Sequence, residues 1–324
     1  MNYNANLDSQ VASFKRNGFL FPVKVFSLEE TNYFRKKYEN FVRKYGTGDG
    51  EAKRVRGNKI FRLHVVAPWA AGMVRHQRLL SVVRAVLDTS NVLIWSSDLT
   101  VKSPHSSECF GWHQDCAYAD LAPEHKLVTA WIALSESAEE NGCVRMMSGS
   151  HHLGELRHHS EQRTESRNLV LGQTVCPEEL PDLSHGVLRP ETSDHVSGSP
   201  VQEVLCQLSA GEASLHAWRT IHSSSPNTSD QPRLGLAVRY MCADTVTQQC
   251  PVVRDRVSLA CGQYNGDCFD LEPEPREEYG GAEWSVHKQS MRVEWERRKL
   301  SKQLGMLPSH KERNRLEAEE SKKL

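Results

Sequence analysis

Between Asn91 and Met241 the chain is cut into short apolar runs: VLIWSSDLTVK, LVTAWIALS, GCVRMMSGS, VQEVLCQLS, EASLHAW and RLGLAVRYM. Turn-forming residues bound each run, and no helical periodicity separates them. A parallel sheet would need helical crossovers between its strands, so these runs must pair antiparallel in a sandwich or barrel. The expected fold is mostly β, with a barrel over 91–245.

The flanks read differently. Ser27 and Glu30 have capping-box spacing. Phe34, Tyr38, Phe41 and Tyr45 then recur on one helical face, and Leu79, Val82, Val83, Val86 and Leu87 form a second amphipathic stretch. Residues 1–90 are therefore read as N-terminal helices. About fifty polar residues, 151–200, interrupt the β region, as a lid or binding insertion does. Residues 1–272 are read as one domain. The rest, 273–324, is charged, with helical spacing around Trp284, Met291 and Trp295, and is read as a solvated helical extension.

Composition excludes several classes. Lys plus Arg is 40 and Asp plus Glu 41, so nothing supports nucleic-acid binding. No apolar run approaches the roughly 18 residues of a membrane span, and the start is polar. The nine cysteines include no C-x-x-C pair, which fits reduced thiols in an intracellular compartment. The cytoplasm is expected. The ending SKKL misses the peroxisomal Ser-Lys-Leu by one residue and is the weaker alternative.

The chemistry concentrates in Gly111-Trp-His-Gln-Asp115, the only H-x-D in the chain. Chance alone gives about 0.6 such matches, so context must carry the reading. In extended chain, residues i and i+2 share a face, and His113 and Asp115 can reach one point. A second histidine would complete the 2-His-1-carboxylate triad that holds Fe(II) and leaves positions open. His216 and His222 compete for that role. A hairpin closing at Pro226–Ser229 would set His222 opposite Arg233, which favours His222. A metal ligand beside a guanidinium suits a molecule with two acidic ends, such as 2-oxoglutarate. On the strand after Arg233, Gly235, Ala237 and Arg239 share its face, and the two small residues leave space for a ligand.

With these residues in place, the sequence resembles the phytanoyl-CoA dioxygenase family of Fe(II)/2-oxoglutarate oxygenases. The matching motifs are WHQD, TAWIAL, ENGCVRMMSGSHH, IHSSSPN, and an arginine eleven residues past the last histidine. The resemblance implies a double-stranded β-helix of jelly-roll or cupin-like form, with flanking helices. It implies iron on His113, Asp115 and His222, the distal carboxylate of 2-oxoglutarate on Arg233, and Ser224 and Trp131 lining that cosubstrate. It also implies O₂ as oxidant, with ascorbate as a supporting reductant, and hydroxylation coupled to decarboxylation of 2-oxoglutarate to succinate and CO₂. Family halogenases replace the carboxylate ligand with a small residue, so Asp115 points to hydroxylation.

Arg62, His64, Lys102, Gln114 and Arg239 are candidates for the substrate side. The pairs His151–His152 and His158–His159 lack the spacing of a closed zinc site and read as loop. The substrate is expected to be a small polar metabolite. Two rivals stand beside this reading, a ligand-binding barrel without turnover and a zinc hydrolase. The second gives Arg233 no purpose.

Overall fold

The computed structural model describes residues 3–45, 59–160, 168–169, 173–180, 201–249 and 253–303. Helix α1 (Tyr3–Asn17) leads into strand β1 (Phe19–Lys24), and α2 (Leu28–Tyr45) follows. The capping box forms: Ser27 N–H donates to Glu30 Oε2 at 2.7 Å and Glu30 N–H to Ser27 Oγ at 3.1 Å. Strand β2 (Lys59–Phe61) and helices α3 (Pro68–Val74) and α4 (Gln77–Leu87) come next. Then come β3 (Val92–Lys102), β4 (Glu108–His113), β5 (Leu121–Ala122), β6 (Leu127–Ala133) and β7 (Val144–Met147). Short strands β8 (His158–Ser160), β9 (Asn168–Leu169) and β10 (Gln173–Val175) precede β11 (Glu203–Cys206), β12 (Glu212–Ala217), β13 (His222–Ser224) and β14 (Arg233–Cys242). The chain continues through β15 (Thr247–Gln248), β16 (Asp255–Cys261), β17 (Phe269–Glu272) and helix α5 (Gly281–Gln303).

Two sheets make the body. The larger runs β1-β12-β6-β14-β3-β16-β17, with β2 also on β3; the smaller runs β11-β7-β13-β4-β9. Trp131, Ala133 and Ala237 of the first pack with Val144, Met146 and Cys206 of the second, so the sheets face one another. This is the expected double-stranded β-helix, built as an open two-sheet sandwich rather than a closed barrel. Strand alternation decides what each face meets. Val128, Ala130 and Ile132 of β6 and Leu234, Leu236, Val238 and Tyr240 of β14 point outward into one apolar cluster with Leu79 and Val83 of α4. The inner face is left to polar side chains and the cavity.

Several boundaries differ from the sequence reading. Residues 1–90 are not all helical: β1 pairs with β12, and β2 with β3. Pro22 disguises FLFPVK, although an edge strand tolerates proline because one side of it needs no ladder bonds. Strands β16 and β17 carry the large sheet beyond residue 245. The C-terminal helix is not solvated along its length. His287, Ser290, Glu294, Arg297 and Ser301 are buried against the body. Its seat is ionic: Arg297 pairs with Asp120 and, at 3.0 Å, with Asp255, while Glu294 lies 3.4 Å from Arg62. Its apolar contacts sit in its first turns, where Trp284 and Val286 pack against the core, and a helix held by charge beyond them reads as surface.

Much of 151–200 lies outside the described residues, including Arg163 and Arg167, and the reading of that segment as a lid lies there with it. The described parts are tied down. Strands β8 and β10 pair, and β9 pairs in parallel with β4, the strand that ends at His113. Among the described residues, no helix is long and apolar enough to cross a membrane, and eight cysteines are free.

Candidate active site

The sheet registers build the site. On the large sheet Lys102 faces Arg233 across the β3–β14 pair, Thr100 faces Gly235, and Asp98 faces Ala237. Trp131 lies opposite Ala237 and Thr129 opposite Arg239 on β6, with His216 of β12 beyond Thr129. On the small sheet His222 pairs with His113 and Ser224 with Phe110. The two sheets line one cavity that opens to solvent.

His113, Asp115 and His222 converge there, buried, with one ligand-capable atom from each within 4.8 Å of the others. His113 ends β4, and Asp115 opens a 3₁₀ turn; Gln114 between them stays extended (φ −115°, ψ 141°), so the two side chains share a side. The ring nitrogen Nδ1 of His113 lies 2.7 Å from the Gly111 carbonyl and that of His222 2.9 Å from the Thr220 carbonyl. A carbonyl only accepts, so each Nδ1 carries the proton and each Nε2 offers a lone pair. Burial, with His113 and His216 nearby, holds the His222 imidazole well below its usual pKa and keeps it a neutral donor. Burial works against ionised Asp115. The His216 hydrogen bond and the charge of Arg239 outweigh it and hold the carboxyl well below the usual range. Two neutral imidazoles and one carboxylate form the donor set of a facial Fe(II) site.

His216 is placed otherwise. Its Nε2 lies 3.3 Å from Asp115 Oδ2 and must donate to it, so that nitrogen has no lone pair for a metal. Thr129 Oγ1 donates to the same oxygen at 2.6 Å, leaving Oδ1 on the His222 side at 3.9 Å from its Nε2.

Arg233 lies at the other end of the cavity, buried, its guanidinium 4.9 Å from the Trp131 ring centre. It donates to the Gly142 carbonyl, in the turn of the ENGC motif. Gly142 has φ +74°, and a Cβ there would meet the Ser225 carbonyl oxygen at 2.2 Å, so this turn requires glycine. Among the described residues no carboxylate pairs with Arg233, and burial pulls it down to about 10. Ser224 Oγ also lines the cavity and accepts from Lys102 Nζ at 2.7 Å.

Other expectations meet a different geometry. His222 and Arg233 are not hairpin partners. Strand β13 belongs to the small sheet and β14 to the large one, so the two residues meet across the sandwich. The space beside Gly235 is filled by Trp131, whose ring lies 2.1 Å from where a Cβ would stand, rather than by a ligand. Arg62 and His64 do not line the cavity. Arg62 pairs with Glu272 at 2.9 Å, and His64 Nδ1 sits 2.6 Å from Ser97 Oγ, both in the seat of α5. Gln114 points away from its neighbours' side, as alternation demands. It donates to the Gly154 and Arg219 carbonyls and accepts from Leu156 N–H, tying the β4 end to the following loop. Lys102 lies behind the lining, with Ser224 in front. Arg239 does line the cavity, joined to Asp98 at 2.6 Å. Asp98 was missed. Its signal is an acid on VLIWSSDLTVK two residues from Thr100 and four from Lys102, hence on their face.

The profile of the phytanoyl-CoA dioxygenase family matches residues 14–235. A probable alpha-ketoglutarate-dependent hypophosphite dioxygenase of Stutzerimonas stutzeri is 27% identical over 249 residues, covering 77% of this chain and 71% of that protein. An ectoine dioxygenase of Bordetella bronchiseptica is 25% identical over 251 residues, covering 71% and 79%. Among solved structures, the apo form of the non-heme monooxygenase ThoJ superposes with a TM-score of 0.73 at 24% identity, covering 91% of this chain and 99% of that one. With its His–Asp–His cluster facing a buried arginine inside a double-stranded β-helix, the chain belongs to the phytanoyl-CoA dioxygenase family of Fe(II)- and 2-oxoglutarate-dependent oxygenases.

Proposed function

We propose that the protein hydroxylates a small polar metabolite, with His113, Asp115 and His222 as iron ligands and Arg233 as the anchor of the 2-oxoglutarate distal carboxylate. The observation that carries this reading is the buried guanidinium of Arg233, which has no carboxylate partner among the described residues and shares a cavity with the triad. A buried charge without a counter-ion is costly, and a dicarboxylate that spans from the iron to Arg233 supplies the counter-ion. Ser224 adds a hydroxyl at the same end, and Trp131 is the flat wall on which the guanidinium rests. Bound iron supplies the oxidising power, converting 2-oxoglutarate and O₂ to succinate and CO₂ as the substrate is hydroxylated.

The rest of the cavity bears on the substrate. Asp98 and Arg239 also line the cavity, outside the triad and the distal-carboxylate anchor, although the charge of Arg239 reaches Asp115. Their ion pair offers a donor edge and an acceptor edge to one ligand, which suits a compact polar molecule more than an acyl chain. The named relatives act on ectoine and hypophosphite, both small and polar.

The test is a panel of small polar metabolites given to anaerobically purified protein with Fe(II), 2-oxoglutarate and then air. Succinate should rise above the substrate-free background for a subset of the panel. No 2-oxoglutarate conversion under any condition, or turnover supported by Zn(II) in place of Fe(II), would overturn the reading.

A further inference from the structure

Behind Ser224, at the Arg233 end of the cavity, lies a second buried cation. Lys102 is fully buried and is the direct cross-strand neighbour of Arg233. Its Nζ donates to Ser224 Oγ at 2.7 Å and to the Ser225 carbonyl, and it lies 5.6 Å from the centre of the Phe110 ring. Two cations thus lie side by side in the interior, and among the described residues neither has an ion-pair partner.

Such a pair cannot easily carry both charges while the cavity lacks an anion. Arginine does not give up its proton in a protein; lysine does so readily when buried. A neutral amine has two N–H groups, which suffice for the two acceptors that Lys102 reaches. Burial first, and the charge of Arg233 second, pull Lys102 down to about 6. Cys109 and Glu108 on β4 act in the opposite direction and rank below both causes, as does Cys143 before β7, whose own thiol is pushed up by burial. An arriving carboxylate reverses the field at this end of the cavity.

We propose that 2-oxoglutarate binds with net uptake of one proton, taken from solvent onto Lys102 Nζ. The proposal rests on the reading that Arg233 receives the distal carboxylate. 2-Oxoglutarate is a dianion both free and bound near neutral pH, so the proton belongs to the protein. The sign follows from linkage. A complex that holds one proton more than its parts weakens as pH rises between the empty and the occupied pKa of Lys102. Within that window the loss is about tenfold per pH unit.

Titration calorimetry of 2-oxoglutarate into anaerobic Fe(II)-loaded protein tests this. At one pH above neutrality, the observed enthalpy is plotted against buffer ionisation enthalpy, and the slope counts protons. The wild type should take up nearly one. Lys102→Met, which has no proton to gain, and Lys102→Arg, which never loses one, should both give a slope near zero and a Kd that no longer changes with pH. A zero slope in the wild type, or an undiminished slope in either variant, overturns the proposal. Arg233→Met separates the underlying reading. If it binds 2-oxoglutarate as tightly as wild type, the cosubstrate assignment itself fails. If its binding is crippled while the wild-type slope is zero, only the proton uptake fails.

Discussion

The cavity around His113, Asp115 and His222 and the seat of α5 are both buried and both rich in charge, yet they balance that charge differently. In the seat, Arg62 meets Glu272 and Glu294, and Arg297 meets Asp120 and Asp255. Each of these two buried guanidiniums has two carboxylates. In the cavity, Arg233 has none among the described residues, and Lys102 stands beside it. A buried arginine that already holds carboxylates of the chain needs none from outside and fixes the position of a helix. One that holds none is completed only when an anionic ligand arrives. The same residue type, buried to the same degree, is structural in one place and, in the function proposed above, a ligand anchor in the other, and what each guanidinium touches separates the two.

The largest effect expected from probing this difference is on the triad. Replacing His113, Asp115 or His222 with Ala should remove iron-dependent 2-oxoglutarate turnover to background, measured as succinate. Chelator-treated wild type should regain activity with Fe(II). A triad variant with substantial turnover would mean the iron is held elsewhere.

The seat should answer in stability instead. Arg297→Met takes the Arg297 charge away from buried Asp120 and Asp255, a loss of about 3–5 kcal/mol in urea unfolding. The KM for 2-oxoglutarate of the surviving folded protein should stay at the wild-type value. A raised KM with normal stability would erase the division between the two clusters.

Arg233→Met should show the opposite signature. Loss of a charge-assisted bidentate contact at a desolvated site costs about 2–5 kcal/mol. That is a rise of about 30-fold to several thousand-fold in KM for 2-oxoglutarate. Stability should hold or increase, because the substitution removes an uncompensated buried charge. An unchanged KM would take the cosubstrate role away from Arg233.

How much was legible in the sequence follows from where each partner lies. The pair His113 and Asp115 could be read because its geometry is local: Gln114 is extended, and alternation does the rest. The inner and outer faces of β6 and β14 could be read for the same reason. His222 was reached by way of a hairpin that does not exist. The chain does reverse there, through a loop in which Ser229 N–H donates to Asn227 Oδ1, but the loop changes sheets, and local sequence cannot report a sheet change. Arg62 and His64 looked like pocket residues because polar residues on one strand face invite that reading. The carboxylates that claim Arg62 lie more than two hundred residues away, on β17 and α5. Gln114 as a substrate residue contradicted the alternation that linked its neighbours. Asp98 needed the β3–β14 register, which sets it across from Ala237 and beside Arg239.

The smallest effect bears on the choice between two histidines, His216 and His222, whose rings stand 4.3 Å apart. Both are buried, and both lie near Asp115. The structure separates them by what each nitrogen holds. His222 spends Nδ1–H on a carbonyl and leaves Nε2 free, while His216 spends Nε2–H on Asp115 Oδ2. His216→Ala should therefore keep iron and weaken it. Outer hydrogen-bond partners of metal ligands are worth about 10–100-fold in affinity. The low end is expected here, because Thr129 Oγ1 still holds the same oxygen at 2.6 Å. Thr129→Val combined with His216→Ala should reach the upper end, since Asp115 Oδ2 then loses both donors and the carboxylate is free to turn. Equilibrium dialysis of Fe(II) under anaerobic conditions measures each step. If His216→Ala loses iron altogether while His222→Ala keeps it, His216 is the third ligand, and the tautomer assigned to it from its contact with Asp115 is wrong.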